Sequence, residues 1–159
     1  MQWLWLTFDE LSVKQLYAML KLRQDVFILE QTCLYSDIDE LDPHCIHLLG
    51  IDNDLSKTKL AAYLRIIPAD HHSSGYTSLG RILTAADYRG QSLGKAMMQE
   101  TMHYLAEHYD GEMIHMSAQF YLEKFYAGFG FETVSKPYDD DGIMHLDMQT
   151  RISKTAWKK

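Results

Sequence analysis

The chain has 159 residues, of which 47% are hydrophobic and 12% aromatic, so it is long enough to bury the core of one domain. Its formal net charge of −7 argues against a nucleic-acid backbone as partner and is compatible with a cationic one. Two cysteines are too few for a disulfide framework and the apolar runs are too short to cross a bilayer, so we expect a cytoplasmic protein without a membrane partner.

The first third of the chain predicts a strand, a helix and an acidic segment. Bulky residues alternate over Trp3–Phe8, which indicates a strand. Ser12, followed three residues later by a glutamine, has the spacing of a capping box that starts a helix. Apolar spacing predicts that this helix runs to about Leu29, with Arg23 near the edge of its buried face. An irregular acidic segment follows, from Glu30 to His44.

The middle of the chain predicts three strands, at 46–51, 60–67 and 78–84. The first two are separated by Asp52-Asn53-Asp54, and a polar turn at His71–Gly75 separates the latter two. Short polar connections of this kind predict an antiparallel arrangement.

The segment from Leu83 to Ala96 leaves an apolar strand, turns on small residues and enters an amphipathic helix that ends near His108. The first amides of a helix have no partner inside it, and the peptide dipoles add about half a positive charge there. Two glycines permit close approach of a ligand, and Arg89 and Lys95 add positive charge. The pattern predicts a phosphate-binding loop, with an ordinary glycine-containing turn as the alternative.

The spacing of this loop excludes the two commonest phosphate motifs. Only three residues separate Gly90 from Gly94, and Ala96 follows Lys95 where a Walker loop has Ser or Thr. No Gly-x-Gly-x-x-Gly pattern of a dinucleotide site is present in the sequence.

The last third of the chain predicts a strand at Glu112–Met116, a short helix at Gln119–Phe129 and a left-handed helix end at Gly130. Two closing strands follow, the last over Ile143–Met148, where Met144, Leu146 and Met148 share one face.

The order of these elements predicts an α+β fold with a mixed, mostly antiparallel central sheet flanked by helices. We expect a single domain over residues 1–150 and a C-terminal tail over 151–159.

The loop sequence Arg89-Gly90-x-x-Leu93-Gly94-x-Ala96 resembles the pyrophosphate loop of the GNAT superfamily of N-acetyltransferases, with Ser92 where that family has its first motif glycine. The rest of the chain is similar to the ElaA-like branch of that family. The motifs that carry this resemblance are Leu22–Gln31, Tyr35-x-Asp37-x-Asp39-x-x-Asp42, His47-Leu48-x-Gly50, Gly80-Arg81, Ser117-Ala118-Gln119, Phe125-Tyr126-x-x-Phe129-Gly130-Phe131 and Asp140-Asp141-Gly142-Ile143-x-His145.

The resemblance implies that acetyl-CoA is the cosubstrate, with its diphosphate held by the amides of Gln91 to Lys95. It implies that the backbone around Leu83 and Thr84 pairs with the pantetheine arm and helps to polarise the thioester. The implied coenzyme-binding residues are Leu83, Thr84, Arg89, Gly90, Gln91, Ser92, Leu93, Gly94 and Lys95. A serine at 92 fits if its φ stays negative, so that its amide remains available and its hydroxyl caps the helix or bonds a phosphate.

The resemblance also implies a general acid. Tyr126 lies four residues before Gly130, where many members of the family carry the tyrosine that protonates the departing thiolate. A phenol has an ordinary pKa of about 10, so it holds its proton at neutral pH. A core aromatic with a bonded hydroxyl is the structural alternative.

The sequence does not choose a general base. The candidates are Glu30, Asp37, Asp39, His47 and His145, of which we select Glu30 and His145. A water relay is a further possibility. Each candidate also has a structural interpretation, as a carboxylate paired with an arginine or a histidine bonded to a loop carbonyl.

The expected acceptor is the amine of a small molecule or a peptide. The acidic segments 37–42 and 139–141 are compatible with a cationic amine or with solvated loops. His44-Cys45-Ile46-His47 has no second ligand pair at a recognisable spacing, so we expect no metal. Exposed edge strands make a homodimer a further expectation.

Two other functions remain open at this point. One is a non-catalytic or weakly catalytic acyl-CoA-binding or protein-interaction module, because Ser92 departs from the family motif and no base is obvious. The other is a metal-dependent protein that uses the histidines.

Overall fold

A computed structural model describes residues 1–53 and 59–157, and eight strands in these ranges form one mixed sheet. The strands are β1 (Gln2–Thr7), β2 (Ile46–Asp52), β3 (Lys59–Ile67), β4 (Thr77–Thr84), β5 (Met113–Gln119), β6 (Glu132–Thr133), β7 (Tyr138–Asp140) and β8 (Ile143–Arg151). Their order is β1-β2-β3-β4-β5-β8-β6, and β7 pairs with β8. Only β4 and β5 run parallel, so the predicted mixed and mostly antiparallel sheet is confirmed.

Helices cover both faces of the sheet. Helix α1 (Val13–Arg23) starts at Ser12, whose side chain forms the predicted capping box with Gln15, and continues as a π-helical segment at Gln24–Glu30. This first helical layer packs on the face of β2 and β3 that carries Leu49 and Tyr63. Helices α2 (Leu93–His108) and α3 (Glu123–Ala127) pack on the opposite face against the larger core, which is rich in methionine.

Most predicted elements are present, with shifted ends. The first strand lies one residue earlier than predicted, and Asp54 of the predicted Asp52-Asn53-Asp54 turn lies outside the described residues. The predicted helix at Gln119–Phe129 is wrong in extent, because Gln119 still pairs with His145 in the sheet and α3 has only five residues. Gly130 has the predicted left-handed φ of +88°.

The last strand is longer than predicted and ends at Arg151 instead of Met148. Leu146 and Met148 are buried as predicted, whereas Met144 on the same face is 45% exposed because it lies beyond the core. Strand β8 runs through Arg151, and Ile152 is buried behind it. The domain boundary at residue 150 stays a prediction.

Strand β4 carries a bulge that separates it from β5. Tyr63 of β3 pairs with Leu83, whereas Arg65 pairs with Gly80, so β4 has one residue more than its partner. Arg81 lies at the bulge, where the extra residue is accommodated, and has a left-handed φ of +53°. Strands β4 and β5 pair only from Thr77 to Leu79 on the β4 side and diverge beyond the bulge.

A buried cluster of charges, the Arg–Asp cluster, holds this bulge in place. Its members are Arg23, Arg65 and Arg81 with Asp37, Asp39 and Asp42. The Arg23 guanidinium donates to both Asp42 oxygens at 2.9 and 2.8 Å, and Arg65 Nη1 donates to Asp42 Oδ1 at 2.6 Å. Arg81 Nε donates to Asp37 Oδ1 at 2.6 Å. The cluster therefore joins α1, β3 and β4 to the loop before β2.

Two predictions fail because of this cluster. Arg23 does not lie at the edge of a buried face but is completely buried. The carboxylates of Asp37, Asp39 and Asp42 pair with Arg23 and Arg65, so the cationic ligand and the solvated loop give way to the structural interpretation of carboxylates paired with arginines. Although burial opposes it, the hydrogen bonds from Arg65 hold the pKa of Asp39 below its usual range.

Removing Asp42 should destabilise the protein strongly. Asp42→Ala leaves the buried Arg23 and Arg65 without their shared partner, so we expect the free energy of unfolding to fall by about 3–5 kcal/mol. Urea denaturation followed by circular dichroism measures this loss. Asp87→Ala is the matched control, because it breaks the exposed Lys59–Asp87 pair, which solvent screens, so the loss of stability should be small by comparison. Equal losses in the two variants would contradict the role given to the cluster.

Candidate active site

The divergence of β4 and β5 opens a cleft between the ends of these two strands. The cleft contains a cavity of about 880 Å³. It is lined by the ends of β4 and β5, by the π-helical segment and by β7 and β8. Glu30, Tyr126 and His145, the three predicted catalytic residues, all line this cavity together with Leu83 and Thr84. The fold thus brings together residues that are far apart in sequence.

The predicted phosphate loop forms a second, smaller cavity of about 340 Å³ beside the first. Thr84 and Arg89 line both cavities, which makes them neighbours. The other predicted coenzyme-binding residues in the smaller cavity are Gly90, Ser92, Leu93, Gly94 and Lys95. Gln91 is the one predicted loop residue that lines neither, and its side chain donates to Asp87 O at 3.1 Å.

The main chain of this loop contains amide groups that make no hydrogen bond with other described residues. Within the described ranges, the amides from Gln91 to Lys95 donate no hydrogen bond, and the first helical bond runs from Ala96 N to Ser92 O at 3.0 Å. Unpaired amides at the start of a helix of 16 residues form a site for an anion. The predicted donors are therefore available to a diphosphate.

Ser92 differs from its prediction. Its φ is +59°, in the left-handed region, and its side chain makes no capping hydrogen bond. The tight closure of the loop before α2 imposes this conformation, which a glycine adopts without strain. Ser92 thus has a backbone conformation that favours glycine, the residue expected at this position of the motif, although it carries a side chain.

Gly94 is not required for packing. A Cβ atom built at Gly94 meets only Phe125 Cζ, at 3.9 Å, which is ordinary van der Waals contact. The fold would accept a side chain at this position in α2. The space in front of Gly94 is part of the smaller cavity, so its lack of a side chain keeps room for a ligand.

Glu30 and Arg89 form an ion pair across the mouth of the two cavities. Arg89 Nη1 and Nη2 donate to the two Glu30 oxygens at 2.6 and 2.9 Å, and Arg89 also donates to Thr84 O at 3.3 Å. The hydrogen bond to Glu30 raises the pKa of Arg89. Both oxygens of Glu30 are occupied, which is unfavourable for a general base.

Tyr126 is buried, yet its hydroxyl has no partner. The residue is 4% exposed, and within the described part of the chain its hydroxyl makes no hydrogen bond. Burial raises the pKa of Tyr126 well above its ordinary value, so the phenol is protonated at neutral pH. Tyr126 is a core aromatic, as the structural alternative has it, but among the described residues its hydroxyl lacks the hydrogen bond of that alternative.

His145 presents one free ring nitrogen to the larger cavity. Its Nδ1 lies 2.8 Å from Ile143 O, so Nδ1 carries the proton of the neutral ring and donates it to this carbonyl. Nε2, with no hydrogen-bond partner among residues 1–53 and 59–157, is left as the basic nitrogen. The other histidine candidate, His47, is fully buried with both nitrogens bonded, and burial lowers its pKa.

A hydroxyl network that was not predicted from the sequence lies beside His145. Tyr138 donates to Asp147 Oδ1 at 2.8 Å, lies 2.6 Å from Ser117 Oγ, and its ring stacks on that of His145 at 6.3 Å. These side chains lie on one face of β5, β7 and β8 and line the larger cavity. The alternation in Ile143–Met148 placed His145 and Asp147 on one face, but the partner strand β7 gave no periodic signal.

The described residues were also compared with the requirements of a metal site and of a membrane-spanning helix. In the described ranges, no group of three or more His, Cys, Asp and Glu side chains is arranged to hold a metal ion. None of the described helices is both long enough and apolar enough to span a membrane.

Sequence comparisons agree with the geometry. A family model described as an acetyltransferase (GNAT) domain matches residues 55–152. Protein ElaA of Escherichia coli is 37% identical to this chain over 153 residues, which cover 95% of the chain and 97% of that protein. A UPF0039 protein of Synechocystis sp. is 39% identical over 151 residues, which cover 94% and 95%.

Solved structures give the same result. The crystal structure of Escherichia coli ElaA superposes with a TM-score of 0.85 at 37% identity, over 94% of this chain and 99% of that one. The crystal structure of an acyl-CoA N-acyltransferase from Pseudomonas aeruginosa also superposes with a TM-score of 0.85, at 32% identity, over 94% and 98%. From this agreement of sequence, fold and site, the chain belongs to the GNAT family of acetyltransferases, in its ElaA-like branch.

Proposed function

We propose that this protein is an N-acetyltransferase that transfers the acetyl group of acetyl-CoA directly to an amine in a ternary complex. The observation that carries the proposal is the run of unpaired amides from Gln91 to Lys95, which opens beside a cleft with a free phenol and a free imidazole nitrogen. The acyl-CoA N-acyltransferase among the structural relatives supports the same class of reaction.

The coenzyme would bind along the splayed edge of β4. The diphosphate accepts hydrogen bonds from the amides of residues 91–95 at the positive end of α2, and Lys95 adds charge. The pantetheine arm extends past Thr84 and Leu83 into the larger cavity. Arg89 must leave Thr84 O when the arm pairs with that carbonyl, and a phosphate oxygen is its alternative partner.

The reaction needs a neutral amine and a protonated leaving group. The amine nitrogen attacks the thioester carbon, so a C–N bond forms as the C–S bond breaks. His145 Nε2 accepts the proton that the amine loses, directly or through one water molecule, and the Tyr126 hydroxyl gives a proton to the coenzyme thiolate. Solvent then returns a proton from His145 to Tyr126, so the two transfers balance.

Glu30 has a different proposed role from that of a base. Its bidentate pair with Arg89 holds the guanidinium at the junction of the two cavities. We therefore propose His145 as the base and Glu30 as a positioning residue for Arg89. The cytoplasmic location and a homodimer stay predictions.

Gly94→Ala should separate coenzyme binding from folding. The new methyl group fits the fold, and alanine favours a helix over glycine by up to about 1 kcal/mol, so stability should not fall. The methyl group projects into the anion site, so we expect the affinity for acetyl-CoA to drop about tenfold or more, and Gly94→Glu to remove binding. Isothermal titration measures affinity, and thermal denaturation checks the fold. Unchanged affinity in both folded variants would refute the proposed site.

Tyr126→Phe should lower turnover and leave binding intact. The hydroxyl makes no internal hydrogen bond, so its loss should change the free energy of unfolding by only about 0.5 kcal/mol. Loss of the general acid should lower kcat by about 10²–10⁴-fold. Steady-state kinetics with thiol detection and titration of acetyl-CoA measure the two effects. If kcat stays at the wild-type value, Tyr126 is not the acid.

His145→Gln and Glu30→Gln should have different kinetic effects. The first removes the basic nitrogen, so kcat should fall by about 10²-fold or more with little change in acetyl-CoA affinity. The second frees Arg89, so it should change mainly the KM for acetyl-CoA. The same thiol assay at saturating acceptor compares them. A larger loss of kcat in Glu30→Gln would reverse the assignment of the base.

A further inference from the structure

The larger cavity contains carboxylates of two kinds. Glu30 is paired with Arg89, and Asp39 is paired with Arg65 and Arg81. The side-chain carboxylates of Asp140 and Asp141, in contrast, make no hydrogen bond or ion pair with any other described residue. Their negative charge is therefore not neutralised within that part of the chain.

The basic side chains of the cavity do not compensate these two carboxylates. Its arginines are Arg65, Arg81 and Arg89, each already held by a carboxylate, and no lysine of the described ranges lines it. Asp147 adds a third carboxylate, which accepts a hydrogen bond from the neutral Tyr138 hydroxyl. The acceptor side of the cavity is thus negative.

A tight hairpin fixes Asp140 and Asp141 at the cavity mouth. Asp140 pairs with Ile143, which leaves Asp141 and Gly142 as a two-residue turn with φ values of +51° and +84°. Two successive positive φ values with an Asp-Gly sequence are typical of the type I′ hairpin turn. Burial raises the pKa of the Cys33 thiol in the same cavity, and the charges of both carboxylates add to that effect. Their position is therefore set by backbone geometry.

An independent feature marks the same cavity as a ligand site. Tyr126 is only 4% exposed and lines this cavity, and its hydroxyl has no hydrogen-bond partner among the described residues. His145, with its free Nε2, lies in β8 two residues beyond Ile143, the partner of Asp140. The reacting centre and the negative mouth thus share one cavity.

We propose that the acceptor is a primary amine with a second cationic group, which the carboxylates of Asp140 and Asp141 bind while the first amine reacts near His145. The inference rests on the proposed acetyl transfer and adds the substrate class. The reacting amine must be neutral, so it gains nothing from a negative surface. The distal ammonium stays charged and is attracted to the mouth, which favours diamines over monoamines of the same length.

The test compares diaminopentane with pentylamine as acceptors, with acetyl-CoA at saturation. For the wild type we expect kcat/KM for the diamine to exceed that for the monoamine about tenfold, after correction for its two equivalent amines. In Asp140→Asn/Asp141→Asn this preference should disappear, because kcat/KM for the diamine falls while kcat/KM for the monoamine stays the same. Asparagine also tolerates a left-handed conformation, so the hairpin should keep its geometry.

The matched control is Asp9→Asn/Glu107→Gln, which changes net charge equally at exposed sites outside the cavity. It should retain the diamine preference. If the wild type acetylates both amines equally, or if the control loses the preference as well, the inference is wrong while the proposed function stands. If acetyl-CoA binds but neither amine is acetylated, the inference is wrong; if acetyl-CoA does not bind, the proposed function itself fails.

Discussion

The cleft between β4 and β5 depends on the Arg–Asp cluster, three members of which line it. Arg81 occupies the bulge in β4 with a left-handed φ, a strained conformation for a residue with a side chain. Its guanidinium is held by Asp37 and Asp39 and lies over the rings of Phe27 and Tyr35 at 5.9 and 5.1 Å. These contacts together hold Arg81 in this conformation and so stabilise the bulge. The bulge turns the end of β4 away from β5. Without that divergence the sheet would close where the cavity now lies.

The two sides of the cleft have opposite electrostatic character. On one side, unpaired amides at the start of α2 and Lys95 present positive charge to the smaller cavity. On the other, the tip of the β7–β8 hairpin carries two carboxylates that no residue in the described part of the chain neutralises. An anionic acyl carrier and a cationic acceptor would therefore approach the reacting centre from different directions. This separation suits direct transfer between two bound substrates.

The turn before α2 and its unpaired amides could be predicted from sequence because their determinants are local. A strand end, two glycines and the start of an amphipathic helix lie within a few residues of one another, and the structure gives the amides the predicted freedom. The conformation of Ser92 could not be predicted, since loop closure sets its φ and its residue type argues against a positive value. The Asp141-Gly142 turn carried a local signal that the sequence analysis did not use.

The failures concern contacts between residues far apart in the chain. The Glu30–Arg89 pair joins positions 59 residues apart, and Arg23 reaches Asp42 over 19 residues. Hydrophobic periodicity describes which face of an element is buried, but it carries no information about which charges meet. For that reason the acidic loop before β2 suggested a cationic ligand, whereas its carboxylates neutralise three arginines of the same chain.

The central claim is that the free amides at the start of α2 bind the diphosphate of the coenzyme. Amide nuclear magnetic resonance of isotopically labelled protein, titrated with coenzyme A, tests it at the atoms concerned. The account predicts that the amide signals of residues 91–95 show the largest shifts and saturate together with the ligand. Saturable binding that leaves these signals unmoved and perturbs another surface would contradict it.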